Sequence, residues 1–100
     1  MAELVAYVGP DGIHDATILA IEHRGEVLDV LIQPLDGDPF SLEFSGVTDV
    51  KAIRPVGMML YGLSEWRVGS DTKLFIFMNW HEDDASLEVH ATGFVASSGI

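Results

Sequence analysis

Hydrophobic and polar positions alternate most clearly between Ala16 and Ser45. Three segments there, ATILAIEHR, EVLDVLIQ and PFSLEFS, read as consecutive antiparallel strands. In the third, Phe40, Leu42 and Phe44 share one face and Ser41, Glu43 and Ser45 the other, as in a strand with one side in a core and one in water. In the second, Leu28, Val30 and Ile32 share a face opposite Asp29 and Gln33. Arg24-Gly25-Glu26 and Leu35-Asp36-Gly37-Asp38-Pro39 supply the two turns, the Asp-Gly pair being favoured in hairpins. Ile18 to Ile21 are apolar on both faces, which predicts a strand covered on both sides near its start.

Outside this meander the pattern predicts further short strands. Glu3 to Val8 is a first strand with Leu4, Ala6 and Val8 inward, closed by Gly9-Pro10-Asp11-Gly12. Val47 to Pro55 is a short strand, and Val56 to Gly62 a loop with a single helical turn. Leu63 to Val68 alternates, with Trp66 and Val68 opposite Glu65 and Arg67. Gly69-Ser70-Asp71-Thr72 turns the chain into KLFIFMNW, its most hydrophobic segment. There Leu74, Ile76, Met78 and Trp80 face one way, Phe75 and Phe77 the other. Such a strand is internal to a layered fold or covered by a partner. Phe75 and Phe77 are the candidate homodimer face, and burial within the domain is the favoured competitor. A last strand runs from Ser86 to Val95 with Leu87, Val89 and Ala91 on the core, and Ala96 to Ile100 forms a loose tail. The whole predicts one domain over residues 1–100: an all-β antiparallel sandwich or half-open barrel of about seven or eight short strands, with little helix.

Composition adds an acidic bias. Residues 1–50 carry ten acidic residues and one basic one, a net of −9, and residues 51–100 carry six and four, a net of −2. An acidic surface repels nucleic-acid phosphates and anionic membranes and attracts basic proteins or cations, though charge also simply maintains solubility. Asp29, Glu43 and Asp49 are the candidate contacts for a basic partner. No apolar run approaches membrane-spanning length, and MAELVAYVGPDG has neither the basic nor the apolar region of a secretory signal, so the expected location is the cytoplasm. With no cysteine there is no thiolate metal site and no thiol nucleophile.

Two constellations bear on chemistry. His14-Asp15 pairs an imidazole with a carboxylate, as acid–base and metal sites do. Adjacent residues in extended backbone point opposite ways, however. That favours a structural role, with Asp15 accepting backbone N–H bonds and His14 packing half-buried nearby. His81-Glu82-Asp83-Asp84, with His90 and His23 elsewhere, offers ligands of the right type for zinc but none of the fixed zinc spacings. Asp36-Gly37-Asp38 lacks the ligand series of a calcium loop. There is no nucleophile elbow, phosphate loop or dinucleotide fingerprint. Tyr61, Trp66, Phe75, Phe77 and Trp80 suit a ligand pocket or, at strand spacing, a core.

His14-Asp15-Ala16 leading into a strand, Gly37-Asp38-Pro39-Phe40, and Leu42-x-Phe44-x-Gly46-Val47 together resemble a pattern in short uncharacterised bacterial proteins with an N-terminal His-Asp-Ala or His-Asp-Ser motif. Some similar small β-rich domains are immunity proteins that neutralise partner toxins. The resemblance covers residues 13 to 47 and implies a β-rich, non-catalytic bacterial domain, with His14 and Asp15 matching the motif. The expected function is therefore a non-catalytic protein-binding module, of immunity type in its sharpest form. The alternative is a small-ligand or divalent-metal-binding domain. No cofactor is expected, and a homodimer is compatible with the greasy strand.

Overall fold

A computed structural model of the protein describes residues 3–10, 12–80 and 84–98. It contains nine strands: β1 (Glu3–Val8), β2 (Thr17–Arg24), β3 (Val27–Gln33), β4 (Phe40–Ser45), β5 (Asp49–Ile53), β6 (Leu60–Arg67), β7 (Lys73–Asn79), β8 (Ser86–Ala91) and β9 (Gly93–Ser98). The larger sheet has the order β1-β6-β7-β8-β5 and the smaller β2-β3-β4-β9, with antiparallel pairing throughout. The two sheets pack as a sandwich rather than closing into a barrel. Among the described residues there is no helix, and none long and apolar enough to cross a membrane.

The alternating meander places its apolar face inward as its pattern requires. Leu28, Val30, Ile32, Leu42 and Phe44 are all fully buried. From the larger sheet Leu63, Phe75, Phe77, Leu87 and Val89 meet them. Phe44 is the aromatic centre, with ring centroids 5.2 Å from Phe75, 5.8 Å from Phe77 and 5.3 Å from Phe94. Phe75 and Phe77 are therefore core residues, 1% and 2% exposed, and not a homodimer face. It is Leu74, Ile76 and Met78, on the reverse of the central strand, that turn away from the core and stay half-buried.

Two expectations on strand faces fail at β-bulges, where one extra residue reverses the alternation. In β1 the register shifts between Leu4 and Ala6, so Leu4 turns outward and is 42% exposed, and only Val8 packs on the core. In β2 the shift falls between Ile18 and Ala20. Ile18 is buried, while Leu19 is 42% exposed and Ala20 is exposed too, so the apolar run marks a bulge rather than cover on both sides. The segment from Val56 is a turn, in which the Met58 amide donates to the Pro55 carbonyl at 3.1 Å, and Leu60-Tyr61-Gly62 already belongs to β6.

The expected last strand is two strands in different sheets. The chain leaves β8 at Thr92, crosses to the smaller sheet, and β9 pairs with β4 out to Ser98, so Ala96 to Ser98 are ordered by the ladder. The β4–β5 crossing lies beside it. The Thr92 amide and Oγ1 both donate to the Ser45 carbonyl, at 3.0 and 2.9 Å, and the Thr48 amide donates to His90 O at 2.9 Å. Gly46, at φ 63°, sits in this corner, where a Cβ would lie 2.5 Å from Thr92 Oγ1. Only glycine fits without a shift.

Candidate partner-binding surface

The turn before β2 is held by its backbone. Ala16 N donates to Ile13 O at 3.2 Å, Asp15 N to Leu60 O at 2.7 Å, and Leu60 N to Ala16 O at 2.7 Å. Buried Ile13 and Ala16 anchor the turn to the core. Between them Asp15 takes a left-handed backbone with φ 69°, which Asp and Asn adopt more readily than other side chains with a Cβ. The backbone is not extended there, so the expected divergence of His14 and Asp15 does not occur. His14 Nδ1 lies 3.2 Å from Asp15 Oδ2, with the side chains 63% and 39% exposed.

Two aromatic residues extend the pair. Trp80 and His14 make a T-shaped contact, with centroids 5.4 Å apart and planes at 85°. Tyr61 packs on Trp80 in turn, with centroids 5.2 Å apart and planes at 56°. Tyr61 is the additional residue of a bulge between Leu60 and Gly62, and Trp80 follows β7, its amide donating to Met59 O at 2.9 Å. Both remain open to solvent, Tyr61 at 41% and Trp80 at 47%. Exposed aromatic faces beside a carboxylate suit contact with a flat or cationic group.

From this cluster an apolar strip runs down the outer face of the larger sheet. Met78 stands opposite Gly62, Ile76 opposite Ser64 and Leu74 opposite Trp66. Ser64 is 2% exposed, its hydroxyl accepting from Trp66 Nε1 at 2.9 Å and donating to Ile76 O at 3.3 Å. With its N–H satisfied inward, Trp66 adds apolar surface to the strip. Toward β8 and β5 the same face becomes polar, with Glu88 opposite Lys51 and His90 opposite Asp49.

The three acidic candidates do not form one surface. Asp29 and Glu43 are direct cross-strand neighbours on the outer face of the smaller sheet, in a row with Glu22. Arg24 pairs with both Glu22, at 3.0 Å, and Asp29. The Asp29 hydrogen bond and charge, with Glu22 adding to them, hold the Arg24 guanidinium above its ordinary pKa. Asp49 lies in β5 on the opposite side of the sandwich, 4.0 Å from His90 Nδ1, which is buried and makes no hydrogen bond among the described residues. A partner spanning one face reaches Asp29 and Glu43, or Asp49, but not all three.

Among the described residues no group of three or more His, Asp or Glu side chains is placed to hold a metal ion. His81, Glu82 and Asp83 of the acidic turn lie outside the described residues, and Asp84 pairs with Arg54. A shallow depression on the smaller sheet, lined by Ala20, Glu22, Asp29, Leu31 and Ser41, is an open feature of that face. No protein-family model matches the chain, and neither a curated protein nor a solved structure matches it.

The exposure of Tyr61 was not legible from strand alternation, because it is the extra residue of a bulge, where the period of two stops assigning faces. Alternation does group Trp80 with Leu74, Ile76 and Met78, the face of β7 that turns outward, but it does not say which of the two apolar faces of that strand is the core.

Proposed function

We propose that this is a non-catalytic protein-binding domain that engages a basic partner through His14, Asp15, Tyr61 and Trp80. The observation that carries the reading is the solvent-open Trp80 ring, flanked by Tyr61 and by the His14–Asp15 pair, on a chain of net charge −11. Trp and Tyr dominate the binding energy of protein interfaces because they bury much area with few rotors to fix. An arginine of the partner stacks on the indole while its guanidinium pairs with Asp15, and the surrounding negative field speeds the encounter. The immunity-type role, neutralising a basic toxin, is the sharpest form, and the His14-Asp15-Ala16 resemblance supports it. This reading moves the contact from Asp29, Glu43 and Asp49 to the aromatic end of the larger sheet.

Capture from the native host's extract tests it, using the unaltered chain, Trp80→Ala, Asp15→Asn and Glu43→Gln as baits at low and high salt. A basic protein held by the unaltered chain and by Glu43→Gln, lost with Trp80→Ala and weakened with Asp15→Asn and by salt, is the expected result. Identical capture by the unaltered chain and Trp80→Ala overturns the site. Loss with Glu43→Gln alone returns the contact to the smaller sheet.

A further inference from the structure

The fold treats its two tryptophans differently. Trp66 donates its indole N–H to Ser64 Oγ at 2.9 Å. Trp80 is 47% exposed, and its indole N–H makes no hydrogen bond among the described residues. The same holds for the hydroxyl of Tyr61, whose ring is 41% exposed and centred 5.2 Å from that of Trp80. Two open rings in contact thus carry two uncommitted donors. Beside them Asp15 Oδ2 faces His14 Nδ1, and Oδ1 makes no ion pair among the described residues. The backbone around the rings is already engaged. Leu60 N donates to Ala16 O and Leu60 O accepts from Asp15 N, both at 2.7 Å, while Met59 O accepts from Trp80 N at 2.9 Å. β6 lies between β1 and β7, and β7 between β6 and β8. A ligand here is held by side chains and not by extension of a sheet.

We propose that this site takes a proline-rich segment in the polyproline II conformation, with an arginine at its flank. The inference rests on the partner-binding reading above and names the kind of chain that the site recognises. Segments able to carry an arginine to Asp15 differ in what they leave free. A strand needs an open sheet edge for its own N–H and C=O groups, and none borders these rings. A helix satisfies its backbone internally, so the indole and phenol donors gain no main-chain acceptor from it. An irregular loop has free carbonyls but loses its conformational freedom only on binding. A polyproline II segment makes no internal hydrogen bonds, so its carbonyls accept from Trp80 and Tyr61, and its shape is set before it binds. Its pyrrolidine rings lay apolar faces on aromatic ones, as in other domains that read proline-rich chains. The arginine completes the match. Its guanidinium meets the Asp15 carboxylate in the field of a chain of net charge −11, which favours a basic flank over an acidic one.

Titration of the full isotope-labelled chain with synthetic peptides tests this, read from the indole N–H signals of Trp66 and Trp80 by nuclear magnetic resonance. The probes are an arginine followed by a run of prolines, the same run without arginine, and an arginine followed by a Gly-Ser chain of equal length. The expected result is a shift of the Trp80 signal, with that of Trp66 moving less. The arginine–proline peptide binds on the order of tenfold more tightly than the Gly-Ser peptide, because the flexible chain is ordered only on binding. Asp15→Asn removes the advantage of the arginine over proline alone. Trp80→Ala and Tyr61→Ala, each checked for fold by circular dichroism, weaken binding by on the order of tenfold or more. Equal affinity for the proline and Gly-Ser peptides, or an unmoved Trp80 signal at millimolar peptide, overturns the inference. Capture from the host extract separates the two levels. A basic protein lost with Trp80→Ala, beside peptides that show no preference for proline, keeps the surface and removes the polyproline ligand. Capture indifferent to Trp80→Ala removes the surface and this inference with it.

Discussion

His14 Nδ1 stands 3.2 Å from Asp15 Oδ2 because Asp15 leaves the extended conformation for φ 69°. Neighbours that an extended chain would send to opposite sides thereby stand together, with His14 against Trp80. The left-handed backbone is the device that assembles the aromatic end of the larger sheet, and it sits where the motif that drew notice in the sequence lies.

Position 15 is accordingly sensitive to backbone chemistry. Asp15→Asn, which tolerates a left-handed φ, leaves stability within about 0.5 kcal/mol, whereas Asp15→Val costs roughly 1–3 kcal/mol. Urea unfolding of the two variants measures the difference. Equal stability of both would mean that the turn relaxes freely, and the geometry that pairs His14 with Asp15 would lose its support.

The corner shared by the two crossings makes a second prediction. Gly46→Ala adds a Cβ at φ 63° and 2.5 Å from Thr92 Oγ1, pressing on the side chain that ties β8 and β9 to Ser45. The expected loss is about 1–3 kcal/mol, combining backbone strain with displacement of a packed group. Gly25→Asn is the control, since Gly25 has φ 59° and nothing within 4 Å of its would-be Cβ. Its cost stays within about 0.5 kcal/mol, because Asn accepts this conformation at an open surface. Thermal unfolding that ranks the two the other way would contradict the corner's geometry.

The two faces of β7 separate cleanly by mutation. Phe75→Ala removes a ring packed on Phe44 and Phe94, at 5.2 and 5.5 Å, and costs about 3–5 kcal/mol. For a small domain with a stability of roughly 5–15 kcal/mol this approaches unfolding. Ile76→Ser, on the outer face, costs about 1 kcal/mol or less because that side chain is only half-buried. Chemical denaturation decides between them, and comparable losses would mean that the outer face is covered by a second layer or a second chain.

Much of the fold was readable because strand alternation is a local property of the chain. Leu28, Val30, Ile32, Leu42 and Phe44 were assigned to one interior from spacing alone, and all are buried. Alternation loses its meaning wherever the ladder takes in an extra residue. That is why Leu4 and Leu19 are more exposed than their pattern predicts and why Tyr61 gives no sign of its exposure. The division of Ser86–Ser98 between two sheets was hidden for a related reason. Thr92-Gly93 changes the chain's direction through contacts to Ser45, a residue 47 positions earlier.

The sequence by itself determined the all-β class, the antiparallel meander and the acidic character, since each depends on residue type and short-range spacing. Which acidic residues stand together was decided only in three dimensions. Asp29 and Glu43 are 14 positions apart and adjacent across a ladder, while Asp49, just 6 further on, has crossed to the other sheet. The gathering of His14, Asp15, Tyr61 and Trp80 is likewise tertiary. It arises from one left-handed residue, one bulge and one strand end, and their joint position follows from how the sheets pack rather than from any pattern along the chain.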